Sequence, residues 1–175
     1  PLPGIVYGVI VTAVIAQLAG WILMIKVFIK NKISISQHFS KYGKVLLFLS
    51  ALAFSIKLLL QSGSVHPALS HLSYGFRPII IGYLHLVLLA VTSVFIVGYI
   101  VSLELVLVTK KLIAGVFVFV AGIIINELLL MVQGVAALSY NIVPYINILL
   151  LIAAVILFTG IDIMFTSVLK RSNTR

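Results

Sequence analysis

Five apolar runs, at about 5–27, 45–61, 78–102, 112–132 and 145–168, constrain this chain more than any other feature. With about 1.5 Å of rise per residue, a helix over such a run reaches across a hydrocarbon core roughly 30 Å thick. Lipid offers no partners to backbone N–H and C=O groups, so each run must close its own hydrogen bonds as a helix. The fold expected is all-α: a polytopic transmembrane helix bundle of five spans, forming a single domain over 1–175. The composition agrees, since 63% of residues are hydrophobic and 9% charged, with a mean hydropathy of +1.32. Soluble domains do not reach such values.

The net charge of +9 would suggest nucleic acid in a soluble protein. Here the basic residues lie between apolar runs, where they set membrane orientation, and nucleic acid is not an expected partner. Lys26, Lys30, Lys32, Lys41 and Lys44 crowd the first connection, Lys110 and Lys111 stand with Glu104 at the third, and Lys170 and Arg171 follow the last span. The stretch 134–144 has no Lys or Arg. By the positive-inside rule the N-terminus is outside and the C-terminus inside, with a bacterial inner membrane as the expected location. The chain opens Pro1-Leu2-Pro3 with no initiator methionine, as expected of a processed protein or a piece of a longer one. Its first run lacks the preceding basic region of a signal peptide and reads as a true span. There is no cysteine, which excludes disulfides, thiolate metal sites and cysteine nucleophiles.

Within the spans, the minority residues carry the information. Gly4, Gly8, Thr12, Ala16 and Gly20 recur at every fourth position, the small-residue stripe against which another membrane helix docks. The partner expected there is either another helix of this chain, further membrane helices or a second copy. Tyr7 and Trp21 are candidate interfacial anchors. In the second span Ser50, Lys57 and Gln61 fall to one side, and Lys57 lies near enough to the end for its ammonium to snorkel to the interface. His66 and His71, five apart, do not have the spacing of a helical metal pair, and His38 reads as a solvated loop residue. In the fifth span Thr159, Asp162 and Thr166 share a face, with Asp162 close enough to the inner end to meet Lys110, Lys111 or Lys170.

The third span starts Arg77-Pro78, with proline in the first helical turn where its missing N–H costs nothing. Gly82, His85 and Thr92 share a face, which turns the histidine toward a small and polar side and the bundle interior. In the fourth span Gly115, Gly122, Asn126 and Gln133 form a seam, with Glu127 about 100° away. Lys57, His85 and Glu127 come to similar depths in the outer half of the membrane on three consecutive helices, which short connections bring side by side. Asn126, Gln133 and Thr92 complete this polar cluster. Hydrocarbon tolerates ionisable groups poorly, so the cluster is either a proton relay, an ion or solute site or a cofactor pocket, or else hydrogen-bonding glue between helices. Phosphate-binding loops, zinc-hydrolase and nucleophile-elbow motifs are absent from the sequence.

The segment Arg77-Pro78-Ile79-Ile80-Ile81-Gly82-Tyr83-Leu84-His85-Leu86-Val87-Leu88-Leu89 resembles segments of bacterial multi-span membrane proteins distantly similar to the haem-copper oxidase and NnrS group. The resemblance covers 13 residues and implies His85 as an axial ligand of haem. Met131 is a candidate second ligand, since haem b takes two. The reading is therefore a membrane module with a polar, haem-binding site around His85; alternatives are a transporter or channel-like subunit moving a proton or ion over Lys57, His85 and Glu127, and a structural subunit of a membrane complex.

Overall fold

The computed structural model describes residues 4–31, 39–66, 69, 75–103 and 105–172; Lys32, His38, His71 and Glu104 lie outside them, as do the side chains of Lys170 and Arg171. Five long helices follow one another: α1 (Gly4–Lys30), α2 (Lys41–Ser64), α3 (Arg77–Ser102), α4 (Lys110–Leu138) and α5 (Ile146–Ser172). Each is long and apolar enough to cross a membrane, as in an integral membrane protein. Each packs chiefly on its neighbour in sequence, and α4 on α5 is the most extensive pairing.

The helices are longer than the apolar runs because their ends are polar and capped. Ser40 accepts from the Gly43 N–H at 3.2 Å and donates to the Val101 carbonyl at 3.0 Å, which ties the start of α2 to the end of α3. Thr109 accepts from the Leu112 N–H at 3.1 Å and shares a 3.0 Å bond with the Ser167 hydroxyl, which ties the start of α4 to the last turns of α5. One hydroxyl thus caps a helix and joins it to its neighbour. At the far end α4 runs six residues past the apolar run, to Leu138. There Asn141 N–H bonds Ala136 carbonyl and Tyr140 N–H bonds Ala137 carbonyl, with Tyr140 at φ 53°. This is a Schellman end with tyrosine where glycine usually sits. The Tyr140 ring meets Phe76, the residue before α3, edge-on at 5.8 Å.

Apolar surface gains little by leaving lipid, so close van der Waals fit must hold these helices together. Glycines provide it. A Cβ on Gly43 would lie 2.6 Å from the Ser102 Cα, and one on Gly160 would lie 2.6 Å from the Phe119 backbone nitrogen. The central cluster of Leu46, Val94, Phe119 and Ile123 joins α2, α3 and α4, with Leu157 and Met164 of α5 packed against it.

The small-residue stripe of α1 lies outside this packing. Nothing comes within 4 Å of a Cβ built on Gly4, Gly8 or Gly20, and Thr12 and Ala16 are exposed. The less exposed residues of α1 are instead Val11, Val14, Leu18 and Trp21, on a different side of the helix, and α1 does pack on α2. Trp21 donates to the Ser55 hydroxyl at 3.0 Å and meets the Phe54 ring edge-on at 4.6 Å. The stripe therefore has no partner helix within the described residues.

Replacing Gly43 or Gly160 by alanine is expected to destabilise the bundle by about 1–3 kcal/mol, because backbone, not a movable side-chain end, blocks the added methyl. Gly8→Ala is expected to be neutral or slightly stabilising. Thermal unfolding of the three variants in one mild detergent checks this.

Candidate functional site

Helix α3 is regular from Arg77 to His85, opens into a π-helical segment over Leu86–Ser93, and returns to α-helix from Val94. Its first part packs on α4 and its later parts chiefly on α2, so the widened turns lie where α3 changes partner. Side chains support the widening. Thr92 and Ser93 donate to the carbonyls five residues back, Val87 and Leu88, at 2.9 Å each, and Ser50 of α2 donates to the Val91 carbonyl at 2.8 Å. Such segments tend to occur at functional sites.

The widening also moves Thr92. In an unbroken α-helix it would stand nearly above His85. Each π turn takes up an extra residue, so that coincidence is lost, and Thr92 is exposed and bonded to its own backbone. Of the expected cluster, Thr92 is not brought to His85.

Glycine contacts set the level of the remaining residues. Gly134 faces Ile79, and a Cβ on Gly82 would touch Leu130 at 3.6 Å. From that contact, three residues along α3 and three back along α4 in this antiparallel pair, His85 comes level with Glu127. The two are close enough for their charges to interact. On the other side of α4, Gly115 faces Met164 and Gly122 faces Leu157. That register sets Asn126 level with Ala153, which is 0% exposed.

His85 donates Nδ1–H to the Ile81 carbonyl at 2.9 Å, because a carbonyl oxygen can only accept. In the neutral ring this leaves Nε2 as the basic nitrogen. Asn126 is only 6% exposed, and its Nδ2 is a buried donor without a hydrogen-bond partner. Glu127 Oε1 is a buried acceptor, also without one. The two residues are neighbours on α4, yet Nδ2 and Oε1 are each left without a hydrogen-bond partner. Each such orphan costs on the order of 1–3 kcal/mol.

Lys57 is oriented elsewhere. Its ammonium bonds the Gln61 side chain at 2.5 Å and lies 5.7 Å from the centre of the Phe54 ring, the ring that Trp21 covers. Gln133 is half-buried on α4, beside Gly134 and its contact with Ile79. Asp162 is exposed on α5, as are Lys110 and Lys111 on α4, and its backbone carbonyl accepts from Thr166 at 2.8 Å. The structure thus sets Glu127 level with His85 on one side and beside Asn126 on α4, and it bonds Lys57 and Thr92 elsewhere. Sequence reasoning missed Ile81, whose carbonyl fixes the imidazole tautomer; its place four residues before His85 was the available signal.

A recess of about 280 Å³ lies beside His85, lined by Ile81, Leu84, His85, Leu88 and Leu89. For haem, the residues present fit in part. The Nδ1–H bond to a carbonyl is the support a ligating imidazole usually has, with Nε2 left to bind. The recess, however, is walled by one helix and almost wholly by carbon, and Met131, 59% exposed on α4, does not line it. Among the described residues no three His, Cys, Asp or Glu stand close enough to hold a metal ion. No family model, curated protein or solved structure matches the chain.

With selectively labelled histidine, nitrogen NMR in detergent is expected to find the neutral His85 ring protonated at Nδ1. Glu127→Gln should move the His85 ring signals and Lys57→Met should leave them in place; equal shifts in both would show that Lys57 belongs to the site.

Proposed function

We propose that this chain is a proton-handling subunit of a membrane system, in which Glu127 and His85 are the acid and base that exchange a proton within the bilayer. The observation that carries the reading is the buried, unpartnered Glu127 Oε1 at the level of an imidazole whose Nε2 is free to act as the base. Ionisable groups inside a membrane are costly, and function is the usual reason to keep them there. The chain has only three acidic residues in all, which makes a carboxylate with one buried oxygen among apolar helices the more pointed. Lys57, bonded to Gln61, serves α2 and its contact with α1 and not the proton path. The loop charges support an orientation with the N-terminus outside.

In liposomes carrying an imposed potential, the purified protein is expected to pass protons faster than empty vesicles. Glu127→Gln should slow this at least roughly ten-fold, below the usual range for loss of a positioned acid or base. Lys57→Met should keep most of it. Flux equal to empty vesicles, or undiminished in Glu127→Gln, would contradict the reading.

A second reading, haem at His85, is favoured by the Nδ1–H bond to Ile81. His85 would hold the iron through Nε2, and the haem would supply electron transfer. It predicts a Soret band that shifts on reduction and is lost in His85→Ala; a flat spectrum of fully folded protein removes it.

A further inference from the structure

Three buried side-chain atoms among the described residues lack a hydrogen-bond partner, Ser102 Oγ, Asn126 Nδ2 and Glu127 Oε1, and the last two belong to consecutive residues of α4. Asn126 is 6% exposed, and the small Ala153 stands level with it on α5. Neither atom reaches a hydrogen-bond partner, so the two do not satisfy each other. One molecule satisfies both: a water, which accepts from the amide and donates to the carboxylate. Buried waters typically take two to four polar partners, and His85 Nε2 is the remaining basic atom at this level.

We propose that Asn126 and Glu127 hold a single buried water, and that this water is the link through which a proton passes between Glu127 and His85. The proposal rests on the proton-handling reading and names the missing part of its path. In the transfer, protonated Glu127 gives its proton to the water oxygen as that water gives one of its own protons to His85 Nε2. The O–H bond of the carboxylic acid breaks, an N–H bond forms, and the water is regenerated beside a carboxylate and an imidazolium. Asn126 then acts as a positioning residue: it orients the water and does not itself exchange a proton.

The test is infrared spectroscopy of the full chain in lipid, comparing ordinary water with water enriched in oxygen-18. The wild-type protein is expected to show an O–H stretch of a weakly hydrogen-bonded water that shifts with the isotope. In Asn126→Leu, which keeps comparable bulk without the amide, that band should be lost while helix content is unchanged. In the isosteric Glu127→Gln it should move, because the acceptor is no longer charged or acidic. Lys57→Met should leave it in place. No isotope-sensitive band in the wild type, or the same band in Asn126→Leu, overturns the proposal; the wild-type spectrum decides even if the leucine variant fails to fold. Flux without the band would remove the water and leave the proton reading standing. The band without flux would do the reverse.

Discussion

Hydrocarbon does not form hydrogen bonds, and this single constraint orders the molecule from backbone to site. It forces the five apolar runs into helices and brings polar ends under caps, as at Ser40 and Thr109. It also makes hydroxyl side chains within the spans satisfy themselves locally. Thr12, Ser55, Ser62, Thr159 and Thr166 all donate to carbonyls of their own helices. Against that pattern Ser102 Oγ, Asn126 Nδ2 and Glu127 Oε1 are exceptions, buried polar atoms without a partner.

The site depends on packing that is itself blind to chemistry. Lipid tails compete with apolar side chains on nearly equal terms, so helix register is decided by where backbones approach most closely. Gly82 and Gly134 fix α3 against α4, and Gly115, Gly122 and Gly160 fix α4 against α5. Those contacts are what set His85 level with Glu127 and Asn126 level with Ala153. The π segment then lets α3 leave α4 and follow α2 without losing either contact, with Ser50 bonded to its Val91 carbonyl.

Much of the fold was legible in the sequence, because length and hydropathy determine which runs can be membrane helices. The helix ends were less so. A hydropathy run stops where charge begins, whereas α2 and α4 start at capping hydroxyls ahead of their lysines, and α4 ends on a left-handed Tyr140 that no glycine signals. The site was legible in depth but not in direction. Ideal helical angles placed Thr92 with His85, and the widened turns undid that. Lys57 was grouped with His85 and Glu127 by depth, although Gln61 one turn on and Phe54 nearby were in plain view as nearer partners. The stripe of α1 was plain in the sequence, and the described residues leave it open to lipid or to a helix from elsewhere.

The central claim is that Glu127 and His85 face each other across α3 and α4 inside the membrane. A solid-state NMR measurement of carbon–nitrogen dipolar coupling in lipid bilayers tests it most directly, with glutamate labelled at the side-chain carboxyl carbon and histidine at its ring nitrogens, in a Glu104→Gln background that leaves Glu127 as the one labelled acid. The account predicts a measurable coupling between the Glu127 carboxyl carbon and the His85 ring, at a separation of about 4–6 Å, the range over which charges of this kind act on each other. No coupling, with both side chains ordered and visible, would contradict it and would leave Glu127 a buried acid without its base.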